Sequence, residues 1–397
     1  MGSTHSSHQK STNHENLTIN SEFEDLWNQL TNEETITEDT LINYLNMYDR
    51  VLVHLVFRFV SLGNPQISKS FMLSRIRDMR EEDDPARTGS HRAQFWTLLE
   101  AIHFSCKEIL QVTLMDASVG IETESFETLR IQLPNLESIV HSVILSVLFK
   151  RTHPLDLTEV TDSSKIMEPK ILRRLRLLLP TTVTETPQLL FSSQTGGMSY
   201  RALVPALKYY AGGLIFLFQS LSGELFGCYA DRSEWVDTQG YDETAKDSFL
   251  FQLSPAIRIR KPNRVGSRNF VYMNTMPSST RPFGIGFGGR EGSFRVWIDG
   301  SDLTKIMCME SDATFEGGNI TSESEEGIVG VRNFELWGMG GIEATLIQAK
   351  RRESEDSNRQ DRRRVDKTRL VENQFDREVL FANTFKNQQA GGTRLGS

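Results

Sequence analysis

Apolar residues fall at helical spacing through the first half of the chain and bunch into short extended runs through the second. Phe23, Leu26, Trp27 and Leu30 mark one helical face, and Leu41, Ile42, Leu45 and Tyr48 mark the next. Val51 to Val60, Phe95 to Leu114, Leu136 to Leu148 and Ile171 to Leu179 read as further helices, so residues 21–180 are expected to form an α-helical domain. From Leu189 the period changes. Leu214-Ile215-Phe216-Leu217-Phe218, Glu224 to Ala230, Ser248-Phe249-Leu250-Phe251, Phe270-Val271-Tyr272, Phe294 to Ile298 and Phe334-Glu335-Leu336-Trp337 are β-type runs punctuated by glycine. A β module is expected over 186–341, after a helix-poor joint at 181–187. Residues 342–368 read as a charged linker, and 369–386 as an amphipathic helix with Val371, Phe375, Val379, Ala382 and Phe385 on one stripe. The ends, 1–20 and 387–397, hold too few apolar residues to offset the entropy of ordering and are expected as tails. The fold class is α+β: an all-α region, then a two-sheet β-sandwich with short helices, then a C-terminal helix.

Composition narrows the class. The 397 residues carry a formal net charge of −8, which argues against nucleic acid as a partner, because phosphate binding calls for a basic face. Cys106, Cys228 and Cys308 are odd in number and lack CxxC spacing, so neither a disulfide framework nor a zinc knuckle is expected, and a reducing, cytoplasmic setting fits. No apolar run approaches the ~18 residues of a membrane span, and the polar N-terminus lacks the apolar core of a secretory signal. The sequons at Asn16 and Asn319 are then expected to stay unmodified.

Candidate chemistry is sparse. All eight histidines lie at or before His153, so a Ser-His-Asp triad within the β module is excluded. Ser199 precedes an apparent helix and reads as its N-cap. A histidine-independent hydrolase using Ser199 stays open as an alternative. Gly284, Gly286, Gly288 and Gly289 are superficially like a phosphate cradle, yet a strand rather than a helix follows them, so a tight β connection is expected. Cys228 and Cys308 sit among apolar neighbours, as small core residues do. Glu224 and Glu335 lie in strand-like runs, where a carboxylate faces water or finds a partner. Segments 32–38 and 63–68 resemble the turn-plus-isoleucine of helix–loop–helix calcium units. With Ile36 or Ile67 as the eighth loop position, Gln29 or Val60 stands first and Thr40 or Phe71 closes, so the oxygen ligands are missing and no metal is expected.

The order of these features is similar to the TLDc domain of the oxidation-resistance and lysosomal TLDc protein families. The stretches that carry the resemblance are Ser199-Tyr200-Arg201-Ala202-Leu203, Gly223-Glu224-Leu225-Phe226-Gly227-Cys228-Tyr229 and Asp247 to Pro255 with Phe249 and Phe251. They continue with Phe283 to Gly289 including Gly286, Gly288 and Gly289, then Arg295-Val296-Trp297-Ile298-Asp299 and Phe334-Glu335-Leu336-Trp337-Gly338. The resemblance implies a TLDc-like two-sheet module without enzymatic activity or cofactor. It further implies association with peripheral subunits of the vacuolar-type proton-pumping ATPase, tuning its assembly or activity, with an indirect role in oxidative-stress resistance. A lysosomal scaffold for nutrient-dependent kinase signalling is the alternative it implies. Glu224 is a candidate contact for a protein partner, as are Val371, Phe375, Val379 and Phe385 of the C-terminal stripe. Met1-Gly2-Ser3-Thr4-His5-Ser6 matches the N-myristoylation pattern, so Gly2 is expected to carry an acyl chain. One such chain binds membrane only marginally, so a membrane-bound partner would supply the second attachment at the lysosomal or vacuolar surface.

Overall fold

The computed structural model describes residues 19–81, 90–116, 119–123, 125–133, 135–151, 155, 164–180, 183, 185–238, 240–277, 280–322 and 327–372. The N-terminal part is helical: α1 (19–30), α2 (Glu38–Tyr44), α3 (Arg50–Ser61), α4 (Lys69–Glu81), α5 (Ser90–Ala101), α6 (Cys106–Leu114), α7 (Phe126–Gln132), α8 (Leu136–Leu148) and α9 (Pro169–Leu178). Short strands interrupt it: β1 (Thr35–Thr37), β2 (Gln66–Ser68) and β3 (Gly120–Ile121). Then come β4 (Gln188–Ser192), α10 (Ser193–Gly196), α11 (Tyr200–Leu207), β5 (Leu214–Ser220), β6 (Leu225–Ala230), β7 (Tyr241–Asp242), β8 (Phe249–Ser254) and β9 (Ala256–Arg260). The chain continues through β10 (Val271–Asn274), β11 (Gly284–Phe287), β12 (Val296–Asp299), β13 (Lys305–Cys308), β14 (Ile328–Gly338) and α12 (Gly341–Glu372). The α+β class stands.

Eleven-residue β14 belongs to two sheets. Its second half pairs with β5 and β4, and from β5 the first sheet runs on through β6, β8 and β9, with β3 added in parallel at the edge. Its first half pairs with β13, and the second sheet runs on through β12, β11, β10 and β7. Both faces of the first sheet are buried. Phe216, Phe218, Phe226, Cys228, Leu250, Phe334 and Leu336 pack against the second sheet, where Phe216 meets Phe287 at 5.3 Å between ring centroids. The alternate residues, Ile215, Leu217, Tyr229, Phe249, Phe251, Ile257, Ile259 and Trp337, pack into the core of the helices. A strand buried on both sides has no polar positions to alternate with, which is why β5 reads as an unbroken Leu-Ile-Phe-Leu-Phe.

The helical region therefore shares its core with the first sheet, and polar links cross the same junction. Arg174 of α9 donates to Leu253 O (2.5 Å) and to Asp116 (2.6 Å). Arg260 of β9 makes a two-pronged pair with Glu122 (2.8 and 2.9 Å). The resemblance to paired calcium units extends to architecture: β1 and β2 pair antiparallel with Ile36 opposite Ile67, between α1–α2 and α3–α4. Among the described residues no group of three His, Cys, Asp or Glu side chains is placed to hold a metal ion.

One expectation about the C-terminal side is corrected. Residues 342–368, expected as a linker, are part of α12, which runs unbroken from Gly341 to Glu372. Its Lys, Arg, Glu and Gln residues are strong helix formers, so a charged stretch without glycine or proline extends a helix already anchored at its start. That anchor is Ala344 in the core and Gln348, whose amide donates to Ala206 O and Lys208 O at 2.9 Å each. No single helix among the described residues is long and apolar enough to cross a membrane.

Candidate functional site

Glu335 lies on β14 and is 1% exposed. Its Oε2 accepts from Ser164 Oγ (2.7 Å) and Trp337 Nε1 (3.1 Å), and its Oε1 accepts from the backbone of Lys165 (3.2 Å). Ser164 Oγ also accepts from the backbones of Ile166 (3.0 Å) and Met167 (2.6 Å). A carboxylate that sequence pattern would leave facing water thus fastens the segment before α9 to the sheet.

Glu224 stands at the turn between β5 and β6 and is also buried. Its carboxylate accepts from Thr321 Oγ1 (2.6 Å), Ser322 N (2.9 Å), Gln252 Nε2 (3.1 Å) and the Ser322 hydroxyl. Burial works to raise its carboxyl pKa, but the hydrogen bonds from Ser322 and Thr321 prevail and hold it below the usual value. These contacts correct the assignment of Glu224 as a partner contact: its oxygens are engaged inside the chain. The signal that sequence lacked was Thr321 and Ser322, which lie about a hundred residues downstream and come near only through the two-sheet topology.

The signature glycines seat close packing. A Cβ on Gly227 would stand 2.0 Å from Phe216 O, and one on Gly286 would meet the Phe294 ring at 2.3 Å. Phe294 in turn stacks on Trp297 at 4.4 Å, on the outer face of the second sheet with Tyr272 and Tyr241. The expected tight connection over 284–289 is narrower than anticipated, because Gly284–Phe287 is itself strand β11. Only Gly288 and Gly289, with φ of +65° and +72°, form the turn, and Asp312 accepts from Gly289 N at 2.8 Å. Phe226, Phe249, Phe251 and Trp337 are core residues. Trp297 belongs to the outer-face cluster instead.

Ser199 occupies the N-cap position of α11, but its side chain makes no capping hydrogen bond. It lines a cleft of about 520 Å³ with Tyr200, Arg201, Thr275, Phe283 and Ser301, and no carboxylate, histidine or lysine is among the described lining residues. A nucleophilic serine needs a base within reach, and none is among the described lining residues. All three cysteines are buried. Burial raises the Cys228 thiol well above its usual pKa and pushes Cys308 up to about 12, the reverse of what a peroxide-reactive thiolate needs.

One feature escaped the sequence reading. On the outer face of the second sheet Met307 lies opposite Ile328, and Leu221 lies over Gly330 on the same strand as Ile328. Met309 comes against Gly327. Leu221, Met307, Met309 and Ile328 are all exposed, at 59, 38, 42 and 47%. The alternation of Lys305-Ile306-Met307-Cys308 carries the signal, with Met307 falling on the side that water would claim. Val371 falls in the last turn of α12, while Gly2, Phe375, Val379 and Phe385 lie outside the described residues.

Residues 160–340 match the family model of the TLDc domain. The chain carries a TLDc domain. Its match begins at 160, ahead of the expected 186, which agrees with the hold that Glu335 has on Ser164 and Lys165. The chain is 24% identical over 194 residues to MTOR-associated protein MEAK7 of Danio rerio, covering 48% of this chain and 40% of that protein. Against the mouse protein of the same name the figures are 28% over 156 residues, 39% and 32%. Oxidation resistance protein 1 of Xenopus laevis is 21% identical over 281 residues, 70% of this chain and 30% of its own length. The chain thus aligns with well under half the length of each of these relatives.

Proposed function

We propose that this TLDc protein is a non-enzymatic regulator that works by binding a protein complex, the soluble sector of the vacuolar-type proton-pumping ATPase. The observation that carries the reading is a contrast. The Glu224 and Glu335 carboxylates and the Cys228 and Cys308 thiols are buried and engaged or inert, while Leu221, Met307, Met309 and Ile328 form a contiguous apolar patch on the outside. Methionines suit such a face because their unbranched side chains adapt to a partner's shape. The same binding gives oxidant resistance indirectly, with no cofactor. An acyl chain on Gly2 and contacts from 369–386, including Val371, Phe375, Val379 and Phe385, add avidity at the lysosomal or vacuolar membrane.

A second reading is a scaffold for a nutrient-sensing kinase complex, and what favours it is the MTOR association in the name of several relatives. Affinity capture with full-length protein and with Met307→Glu/Ile328→Glu separates the two. Recovery of pump subunits by the wild type and their loss with the double variant supports the first reading. Recovery of kinase-complex subunits alone overturns it in favour of the second. The hydrolase alternative is tested by comparing wild type with Ser199→Ala on ester and phosphoester substrates: turnover lost in the variant would displace both binding readings.

A further inference from the structure

Ser322 sits where a covalent change would act on the fold. It is exposed, yet its backbone N–H donates to Glu224 at 2.9 Å and its hydroxyl donates to the other carboxylate oxygen. The neighbours Ile320 and Thr321 are buried, and Thr321 Oγ1 and Gln252 Nε2 complete the Glu224 cluster. One carboxylate therefore holds the segment between β13 and β14 against the turn between β5 and β6.

The residues one, three and four places after Ser322 are Glu323, Glu325 and Glu326. A protein kinase with a basic substrate cleft would recognise that run through charge-assisted pairs to its arginines and lysines. Ser21 is followed by acids at the same spacing, Glu22, Glu24 and Asp25. It lies inside α1, however, and Glu22 is held by Arg80 (2.6 Å) and Arg151 (2.7 Å), so a cleft that takes extended chain would have to unwind a packed helix. Ser322 lies outside any helix or strand.

We infer that Ser322 is a phosphorylation site for an acid-directed protein kinase, and that phosphate there frees the segment around it from Glu224. In the reaction the Ser322 oxygen attacks the γ-phosphorus of ATP and the bond to the β-bridging oxygen breaks. ADP leaves, and the hydroxyl proton passes to the kinase's base. The product has no hydroxyl proton to donate, and it sets a charge of about −1.5 to −2 beside a carboxylate that the hydroxyl formerly touched. Like charges at that separation repel, so the contact opens and Ser322 comes away from the turn between β5 and β6.

The test uses the full-length protein, ATP and a purified acid-directed kinase, with phosphate mapped by peptide mass spectrometry and order read by hydrogen exchange. Phosphate is expected on Ser322, absent from that position in Ser322→Ala, with Ser21 unmodified. Exchange over 319–330 should quicken at least tenfold on phosphorylation. Ser322→Ala, which loses one hydrogen bond and adds no charge, should quicken it less than threefold. In Glu224→Gln the effect of the phosphate should shrink, since the repelling charge is gone. Phosphate found only elsewhere, or no incorporation, overturns the site. Phosphate on Ser322 with unchanged exchange overturns the release.

Discussion

Replacing Glu335 tests whether the segment before α9 is part of the TLDc fold or merely precedes it. In Glu335→Ala three hydrogen bonds end: those from Ser164 Oγ, Lys165 N and Trp337 Nε1. The Trp337 indole is fully buried, so its N–H is left without an acceptor, at a cost of about 1–3 kcal/mol. Ser164 is half-buried and Lys165 exposed, so both can turn to water and each contributes less, of the order of 0.5–1 kcal/mol. The sum is about 2–5 kcal/mol.

Glu335→Gln makes the argument sharper. Ser164 and Trp337 both donate to Oε2, whereas Lys165 donates to Oε1. An amide with its oxygen in the Oε2 position keeps two bonds and turns its NH2 against one backbone N–H, which costs about 1–1.5 kcal/mol. Denaturant titration followed by tryptophan fluorescence gives the two values, and hydrogen exchange over 164–167 localises them. Equal losses for Ala and Gln, or an Ala variant within about 0.5 kcal/mol of wild type, would refute the account of Glu335 as the fastening of 164–165.

Three further outcomes follow from the packing and the electrostatics. Gly227→Ala should cost about 3 kcal/mol or more by denaturant midpoint, because the new Cβ meets backbone and β5 and β6 must part; Gly223→Ala, with open space but φ of +101°, should cost about 1–2 kcal/mol. Thiol-reactive dye should label none of Cys106, Cys228 or Cys308 in the native protein and all three in denaturant; fast native labelling of Cys228 would contradict its burial. Stability should fall as pH drops below the ordinary Glu value of 4.5, because the Glu122 carboxyl is held low by Arg260 and the Glu224 carboxyl by Ser322 and Thr321 against its burial. A depressed folded-state pKa stabilises above the unfolded value and loses that stabilisation as pH falls through the folded one. Glu224→Gln should therefore flatten the acid limb of a thermal-melt series between pH 6 and pH 3, and an unchanged limb would count against the cluster.

What sequence could show and what it could not divide along a physical line. Helical spacing located α1, α3, α8 and α9 because each has a buried stripe, but it read Phe95 to Leu114 as one helix where the chain breaks between α5 and α6; the runs of β5, β6 and β8 were plain because both their faces are covered. The charge of residues 342–368 suggests a linker, whereas helix continuation depends on propensity and on the docked first turns at Ala344 and Gln348. The module's beginning was set too late for a different reason. The bond from Ser164 to Glu335 spans 171 positions, and a local window carries no trace of it. The same holds for Glu224, where a strand-end carboxylate is indistinguishable in sequence from a solvated one until Thr321 and Ser322 arrive.

The layered order also decides where a partner can find apolar surface on the module. Helices cover one face of the first sheet and the second sheet covers the other, so neither can be offered without unpacking a core. On the outer face of the second sheet, Tyr272 and Phe294 are sealed by one another and by Trp297. What is left there among the described residues is the edge where β13 meets β14, with Met307, Met309, Ile328 and, over Gly330, Leu221. Partner binding without chemistry requires such a face. Ile328 follows Ser322 by six residues, so freeing Ser322 from Glu224 would bear on the strand that presents Ile328. A phosphate-dependent change in partner capture that Met307→Glu/Ile328→Glu abolishes would join the two.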